Sequence, residues 1–250
     1  MFIIVKQKQT LKKYFFLVLA LSVFAHSYSQ EFSGTVIYKV MLAQEYDSQY
    51  NPVDPLGKKV KEGKALSLAK QVFLLEFDNS KSKFTRNNIL SLDVSKEEQR
   101  FDKMANSYSS TYDYFLDNTL KLAMFRYVNN GMLVKQNVKN KEWDITTESK
   151  KIGDYLCYKA VYLKSYMNWK GNNITIPVTA WFAPSLPYRY GPKEYFGLPG
   201  LILELQESYG VFLATEIKID KNKELKFEFP KGKTITTEEY EKYQSSFLNN

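Results

Sequence analysis

Apolar and polar residues alternate along most of this chain with a period of two, the spacing of a half-buried β-strand. Phe32 to Ala43 sets Val36, Tyr38 and Val40 on one face and Thr35, Ile37 and Lys39 on the other. Gln71–Phe77 is a compact apolar run that ends in the polar turn Asp78–Lys81. Met132–Val138 and Glu142–Thr147, parted by Lys139-Asn140-Lys141, read as a hairpin. The turn Ile152-Gly153-Asp154 feeds a strand from Tyr155 to Leu163 that is bulky on both faces, which predicts a central place in a sheet. After a polar turn at Asn168–Asn173, Ile174–Phe182 puts Ile174, Ile176, Val178, Ala180 and Phe182 on one side. Leu201–Glu207 and Val211–Ile219 close on Glu207-Ser208-Tyr209-Gly210 as a second hairpin, and a last strand, Leu225–Phe229, stops at Pro230.

Helical spacing is rarer. Leu116, Leu120, Met124 and Tyr127 recur near 3.6 residues and predict a helix over Asp113–Val128. Thr236 followed by Glu239 is a capping box, in which hydroxyl and carboxylate satisfy two free N–H groups reciprocally. It opens a C-terminal helix over 237–248 with Tyr240, Tyr243 and Phe247 as its apolar stripe. Residues 44–70, with Pro52, Pro55 and Gly57, read as a long loop or a loop with a short helix. No repeat or low-complexity linker divides the chain. The expectation is a single mainly β domain over 30–250: one curved antiparallel sheet or incomplete barrel with a few short helices.

Residues 1–29 stand apart from that domain. Lys6, Lys8, Lys12 and Lys13 precede the apolar run Tyr14–Ala25, and Ser27 and Ser29 are small residues placed for a cut before Gln30. This is the order of a secretory signal peptide. About 12 apolar residues are too few to span a bilayer, which takes about 20. Loss of the leader changes the chemistry that remains. The formal charge of +8 falls by its four lysines to +4, which removes much of the case for a nucleic-acid surface. Lys58, Lys59, Lys61 and Lys64 read as a solvated loop. The chain's one histidine, His26, leaves too, and with it every imidazole-based triad or zinc site. Cys157 is the only cysteine, so no intramolecular disulfide and no thiolate cluster can form, and its strand context reads as a small buried hydrophobe. The sequence carries no phosphate-binding loop, dinucleotide fingerprint or calcium loop. No metal and no cofactor is expected.

The most distinctive segment is Tyr190-Gly191-Pro192-Lys193-Glu194-Tyr195-Phe196-Gly197-Leu198-Pro199-Gly200-Leu201-Ile202. Leu198-Pro199-Gly200-Leu201 suits a type II turn, with proline presetting φ and Gly200 supplying φ > 0. Gly197 adds a close backbone approach or a second special conformation. In Gly197 to Ile202 the chain resembles the GLPGLI family, exported proteins found mainly in Bacteroidetes and known by that hexapeptide. Ile152-Gly153-Asp154-Tyr155-Leu156-Cys157-Tyr158-Lys159-Ala160, the trio Ala180-Trp181-Phe182 and Gly191-Pro192 are similar to further segments of the family. The resemblance covers roughly residues 32–230. It departs at Ala183-Pro184-Ser185-Leu186-Pro187, where many relatives carry an acidic piece. The resemblance implies a cell-envelope protein without a characterised activity, similar at fold level to the half-barrel of outer-membrane lipoprotein carriers; fold analogy does not fix function.

Three functions fit these residues. The first is a non-enzymatic binding protein whose curved sheet holds a hydrophobic ligand such as lipid, given 16% aromatic residues. The second is a module that docks on an outer-membrane transporter or envelope assembly through exposed aromatics of Ser185–Phe196, stiffened by Pro184, Pro187 and Pro192. The third, last in order, is a hydrolase built on carboxylates, with Glu194, Glu204, Asp154 and Lys159 as candidates. Trp181, Tyr188, Tyr190, Glu194 and Phe196 are the candidate ligand or partner surface, while Gly197, Leu198, Pro199, Gly200, Leu201 and Ile202 are architectural.

Overall fold

The computed structural model describes residues 32–44, 52–87, 95–167, 171–221, 225 and 228–246. The expected leader and the expected cut before Gln30 lie outside them. The described strands are β1 (Phe32–Leu42), β2 (Val72–Asp78), β3 (Lys81–Asn87), β4 (Tyr112–Asp117), β5 (Leu122–Tyr127), β6 (Leu133–Asn137), β7 (Asp144–Ile152), β8 (Tyr155–Met167), β9 (Asn173–Ala183), β10 (Leu201–Glu207), β11 (Gly210–Lys221) and β12 (Thr234–Thr236). They form one sheet in the order β12-β6-β5-β4-β3-β2-β1-β11-β10-β9-β8-β7. Among the described residues every strand pairing is antiparallel except β12 with β6, which is parallel. Two meanders, β1–β6 and β7–β11, thus lie side by side and meet where β1 pairs β11 from Phe32↔Lys221 to Leu42↔Gly210.

Connectivity requires this sheet to curl. From β6 to β7 the strand order spans ten neighbour spacings, about 48 Å if flat at roughly 4.8 Å each. Residues 138–143 make the link, and fully extended they reach only about 25 Å. The two edges must therefore approach one another. The sheet is open and curved, not closed into a barrel.

The main core lies on one face of the sheet. Val36, Tyr38, Phe73, Phe77, Phe84 and Phe212 are buried there. Phe73 stacks on Phe84 at 5.2 Å and meets Phe212 edge-on at 5.2 Å. Burying each such ring contributes about 1.5–3 kcal/mol. The Tyr38 hydroxyl, fully buried, donates to the Ile202 carbonyl at 2.6 Å, so its polar end is satisfied. Helix α1 (Pro55–Lys70) adds Leu68 to this core and α2 (Lys96–Asn106) adds Ala105. Asp54 caps α1 by accepting from the Gly57 N–H at 2.7 Å, with Pro55 at the first helical position. Helix α3 (Thr237–Ser246) starts at the expected capping box: the Glu239 N–H donates to Thr236 Oγ1 at 3.2 Å, and the Thr236 N–H to Glu239 at 2.8 Å.

Several expectations are corrected. Asp113–Val128 is not a helix but the hairpin β4–β5, with Tyr112 opposite Tyr127 and Tyr114 opposite Phe125. Cross-strand aromatic pairs outweigh a thin helical stripe, and Asp117 Oδ1 accepts the Leu120 N–H at 2.9 Å to fix the turn. Met132–Val138 and Glu142–Thr147 do not pair; β6 and β7 sit near opposite edges of the sheet. The 44–70 stretch holds a 16-residue helix, hidden because its inward residues, Gly63, Lys64, Ser67 and Leu68, are mostly not apolar. Strand β8 lies one place in from the β7 edge, not centrally, with Leu163 63% exposed. Residues 168–170 and 226–227 of the predicted turn and last strand lie outside the described residues, and 225, 228 and 229 are not in a strand.

Candidate binding cleft

Two strands end their inward alternation on charge. Tyr158, Ala160 and Tyr162 of β8 share a face with Lys164, and Leu205 of β10 shares one with Glu207. The two meet. Lys164 Nζ donates to Glu207 Oε1 at 2.5 Å and to Glu194 Oε1 at 3.0 Å. Lys193 Nζ donates to Glu207 Oε2 at 2.5 Å, and the Tyr195 hydroxyl to Glu207 Oε1 at 2.8 Å. Burial opposes charge on Glu207, yet the two ammonium groups outweigh it and hold its carboxyl well below the ordinary range. Burial likewise opposes charge on Lys164, and Glu194 and Glu207 outweigh it in turn, so its pKa is raised. Burial, the two carboxylates and its hydrogen bond keep Tyr195 a phenol.

This cluster backs a cleft of about 800 Å³. One wall is β4–β6, through residues such as Tyr114, Leu116, Ala123 and Gln136. The facing wall is residues 138–141 of the crossover with Lys193, Glu194, Tyr195 and Phe196 of the β9–β10 connection; β12 and the first turn of α3 close an end. Trp143 anchors the crossover: its indole N–H donates to the Phe196 carbonyl at 3.1 Å, and its ring lies 5.7 Å from Tyr162 and 6.1 Å from Tyr195. Lys141 reaches over three rings, 5.3 Å from the centroid of Tyr162, 5.2 Å from Tyr195 and 6.0 Å from Phe196.

The β9–β10 connection is rigid through both glycines, with the special conformation at Gly197, one of its two expected roles, and none at Gly200, where the sequence also predicts it. Gly197 takes the left-handed φ of +98°, and its N–H donates to the Arg189 carbonyl at 2.9 Å while the Arg189 guanidinium donates back to its carbonyl at 2.7 Å. Gly200 has no positive φ, so Leu198–Leu201 is not the expected type II turn. It is glycine because a Cβ there would lie 2.3 Å from the Ala183 carbonyl oxygen.

Of the predicted site residues, Glu194 and Phe196 line the cleft. Tyr190 is 4% exposed, packs at 5.2 Å on Phe77 and accepts from Asn118 at 3.4 Å; burial pushes its pKa up to about 12. Tyr188 is half-buried against Phe32 and Phe77, at 4.6 and 5.3 Å. The 185–196 loop therefore folds Tyr190 and Tyr195 (1% exposed) inward instead of presenting them. Trp181 lies on the other face of β9 under Lys150, 4.4 Å from its centroid, and Lys150 is paired with Glu204 at 2.7 Å. Leu198, Leu201 and Ile202 are buried at the start of β10, and Pro199 is exposed.

The candidate carboxylates are not gathered. Glu204 is on the outer face, Asp154 is exposed in the β7–β8 turn, and Lys159 pairs with Glu148 at 2.8 Å. Glu207 does adjoin Glu194, but both its oxygens are taken and its pKa is driven away from the range that proton transfer needs. Burial lifts the Cys157 thiol to about 11, far from a ready thiolate. Among the described residues no group of three His, Cys, Asp or Glu could hold a metal, and no helix is long and apolar enough to cross a membrane.

Sequence reasoning missed Lys141, Lys164, Lys193 and Glu207, and took the buried Tyr195 for one of the exposed aromatics of Ser185–Phe196. The available signal was charge at inward strand positions, Lys164 and Glu207, where alternation calls for apolar side chains.

A family model described as a protein of unknown function (Porph_ging) matches residues 143–204, which run from Trp143 through β7–β9 and the connection into β10. Among curated proteins none matches the chain. Solved structures that match include PNGF-II in its P21 and C2 crystal forms, at 16% and 15% identity and a TM-score of 0.49 each. Each alignment covers 86% of this chain, and 34% and 33% of the respective PNGF-II chains, so the chain spans about a third of their length.

Proposed function

We propose that this is an exported cell-envelope protein of the GLPGLI type, and that it binds a hydrophobic ligand with a polar end, such as an acyl-chain lipid, without transforming it. The observation that carries this reading is the two-sided cleft. Its volume of about 800 Å³ falls within the roughly 300–1,000 Å³ of small-molecule sites. Leu116, Ala123, Phe196 and Ile235 offer apolar surface, while Lys141, Glu194 and the cluster behind them offer fixed polar groups. Each methylene removed from water there contributes about 0.8 kcal/mol. A ligand with one apolar and one polar end matches both walls.

The test is recovery from the cell. The protein is purified from the envelope fraction of its host, its intact mass measured, and its bound small molecules extracted into organic solvent for mass spectrometry. The expected result is a chain beginning at Gln30 that carries an amphiphile at close to one equivalent. A chain beginning at Met1 in the cytosol would overturn the export reading, and an extract without a stoichiometric amphiphile would overturn the ligand reading.

A further inference from the structure

The polar end of the ligand can be specified from two valences the protein leaves unspent in the cleft. The first is on Lys141. Lys164 and Lys193 are committed to Glu194 and Glu207, whereas Lys141 is half-buried, lies over Tyr162, Tyr195 and Phe196, and has no carboxylate within salt-bridge distance among the described residues. Burial lowers its pKa, the more so for the neighbouring Lys164 ammonium, and outweighs the attraction of Glu194 and Glu207; an anion in direct contact relieves that cost. The second is on Glu194. Its Oε1 accepts from Lys164 at 3.0 Å, but its Oε2 is buried with no hydrogen-bond partner among the described residues, a state buried polar atoms rarely keep.

We propose that the cleft selects a hydrophobic carboxylic acid carrying a hydrogen-bond donor, a hydroxyl or amide N–H, beside its carboxylate. The carboxylate pairs with Lys141 and the donor reaches Glu194 Oε2. This rests on the ligand reading above. The two parts require each other: an anion at Lys141 stands near the Glu194 carboxylate, and a donor between them turns repulsion into a charge-assisted hydrogen bond. The apolar tail then runs toward Leu116 and Ala123 on the facing wall.

The experiment titrates the purified protein calorimetrically with 3-hydroxydecanoate, decanoate and 1-decanol below their micellar concentrations. Decanoate is expected to bind about tenfold tighter than decanol, and 3-hydroxydecanoate about threefold to tenfold tighter again, since each factor of ten is one charge-assisted contact's worth. Lys141→Met should abolish the preference for acid over alcohol while decanol binding persists, and Lys141→Arg should restore it. Glu194→Gln should abolish only the preference for the hydroxylated acid. Circular dichroism and melting curves establish that each variant is folded. Equal binding of decanol and decanoate, or an acid preference that survives Lys141→Met, would overturn the head-group assignment while leaving the cleft reading intact. Equal binding of the two acids would overturn the role of Glu194. Binding of none of the three would overturn the cleft reading itself.

Discussion

A Cβ added at Gly200 would sit 2.3 Å from the Ala183 carbonyl oxygen and 2.6 Å from its carbon, both backbone atoms that cannot swing aside. At Gly197 a Cβ would meet nothing within 4 Å, and the objection is the φ of +98° alone. The two substitutions should therefore cost differently. Gly200→Ala must push β10 away from the end of β9 and is expected to cost about 3 kcal/mol, the upper range of overpacking. Gly197→Ala is expected to cost about 1–2 kcal/mol of backbone strain. Urea midpoints of the two variants check this, and a larger loss at Gly197 would refute the assignment of roles. Two glycines three residues apart look alike in a sequence. Which one needs the dihedral and which needs the space is decided by Ala183, seventeen residues upstream of Gly200, and by Arg189, whose carbonyl and guanidinium fix Gly197.

At the scale of elements, local signals that satisfy backbone groups are the dependable ones. Thr236 and Glu239 cap α3 as their spacing requires, and Ser95 with Glu98 caps α2 in the same way. Thr236→Ala should cost about 1 kcal/mol, felt mainly in the first turn of α3. Amide hydrogen exchange is expected to quicken over 238–241 while the strands of the sheet keep their protection; unchanged exchange would show that packing of Tyr240 on Tyr112 and Phe125 holds the helix without the cap. Apolar spacing alone was less dependable. Leu116, Leu120, Met124 and Tyr127 share a helical stripe in projection, yet as β4–β5 this stretch buries Phe115, Leu116 and Met124 and closes an Arg126–Asp113 ion pair across the hairpin. A single helix would not give these residues those partners.

The largest scale is electrostatic as well as topological. Lys164 of β8, Glu207 of β10 and Lys193, Glu194 and Tyr195 of the connection tie three separate parts of the chain through one carboxylate. The Glu207 side chain is 10% exposed, so removing its charge leaves the equally buried Lys193 ammonium without its carboxylate and Lys164 with Glu194 alone. Glu207→Gln is expected to cost about 3 kcal/mol at neutral pH. The pH dependence has a definite sign. Glu207 has a folded pKa depressed below its ordinary 4.5, so its contribution is complete above 4.5 and drains away as acid is added toward the lower folded value. Lys164 has a folded pKa raised above 10.5, so its contribution is complete below 10.5 and is lost at higher alkalinity. Melting temperature should thus show a plateau between these limits with an acid edge that is shallower in Glu207→Gln. An acid edge of equal steepness in both proteins would remove the cluster from the account of stability.

What the chain dictated unaided was the strand-rich class, the edges of β1, β2, β9, β10 and β11, the β7–β8 and β10–β11 turns and the capped C-terminal helix, because each depends on neighbours within a few residues. Glu194 and Phe196, which line the candidate cleft, stood out for a similar reason, in an unusual stretch of aromatics, prolines and glycines. Tertiary structure alone decided that six crossover residues must bridge both edges, bending the sheet around a cleft, and that Lys141, Lys164, Lys193 and Glu207 converge there. Those choices turn on distances between positions tens of residues apart, where the gain from burying apolar faces and pairing desolvated charges outweighs any preference a local segment holds.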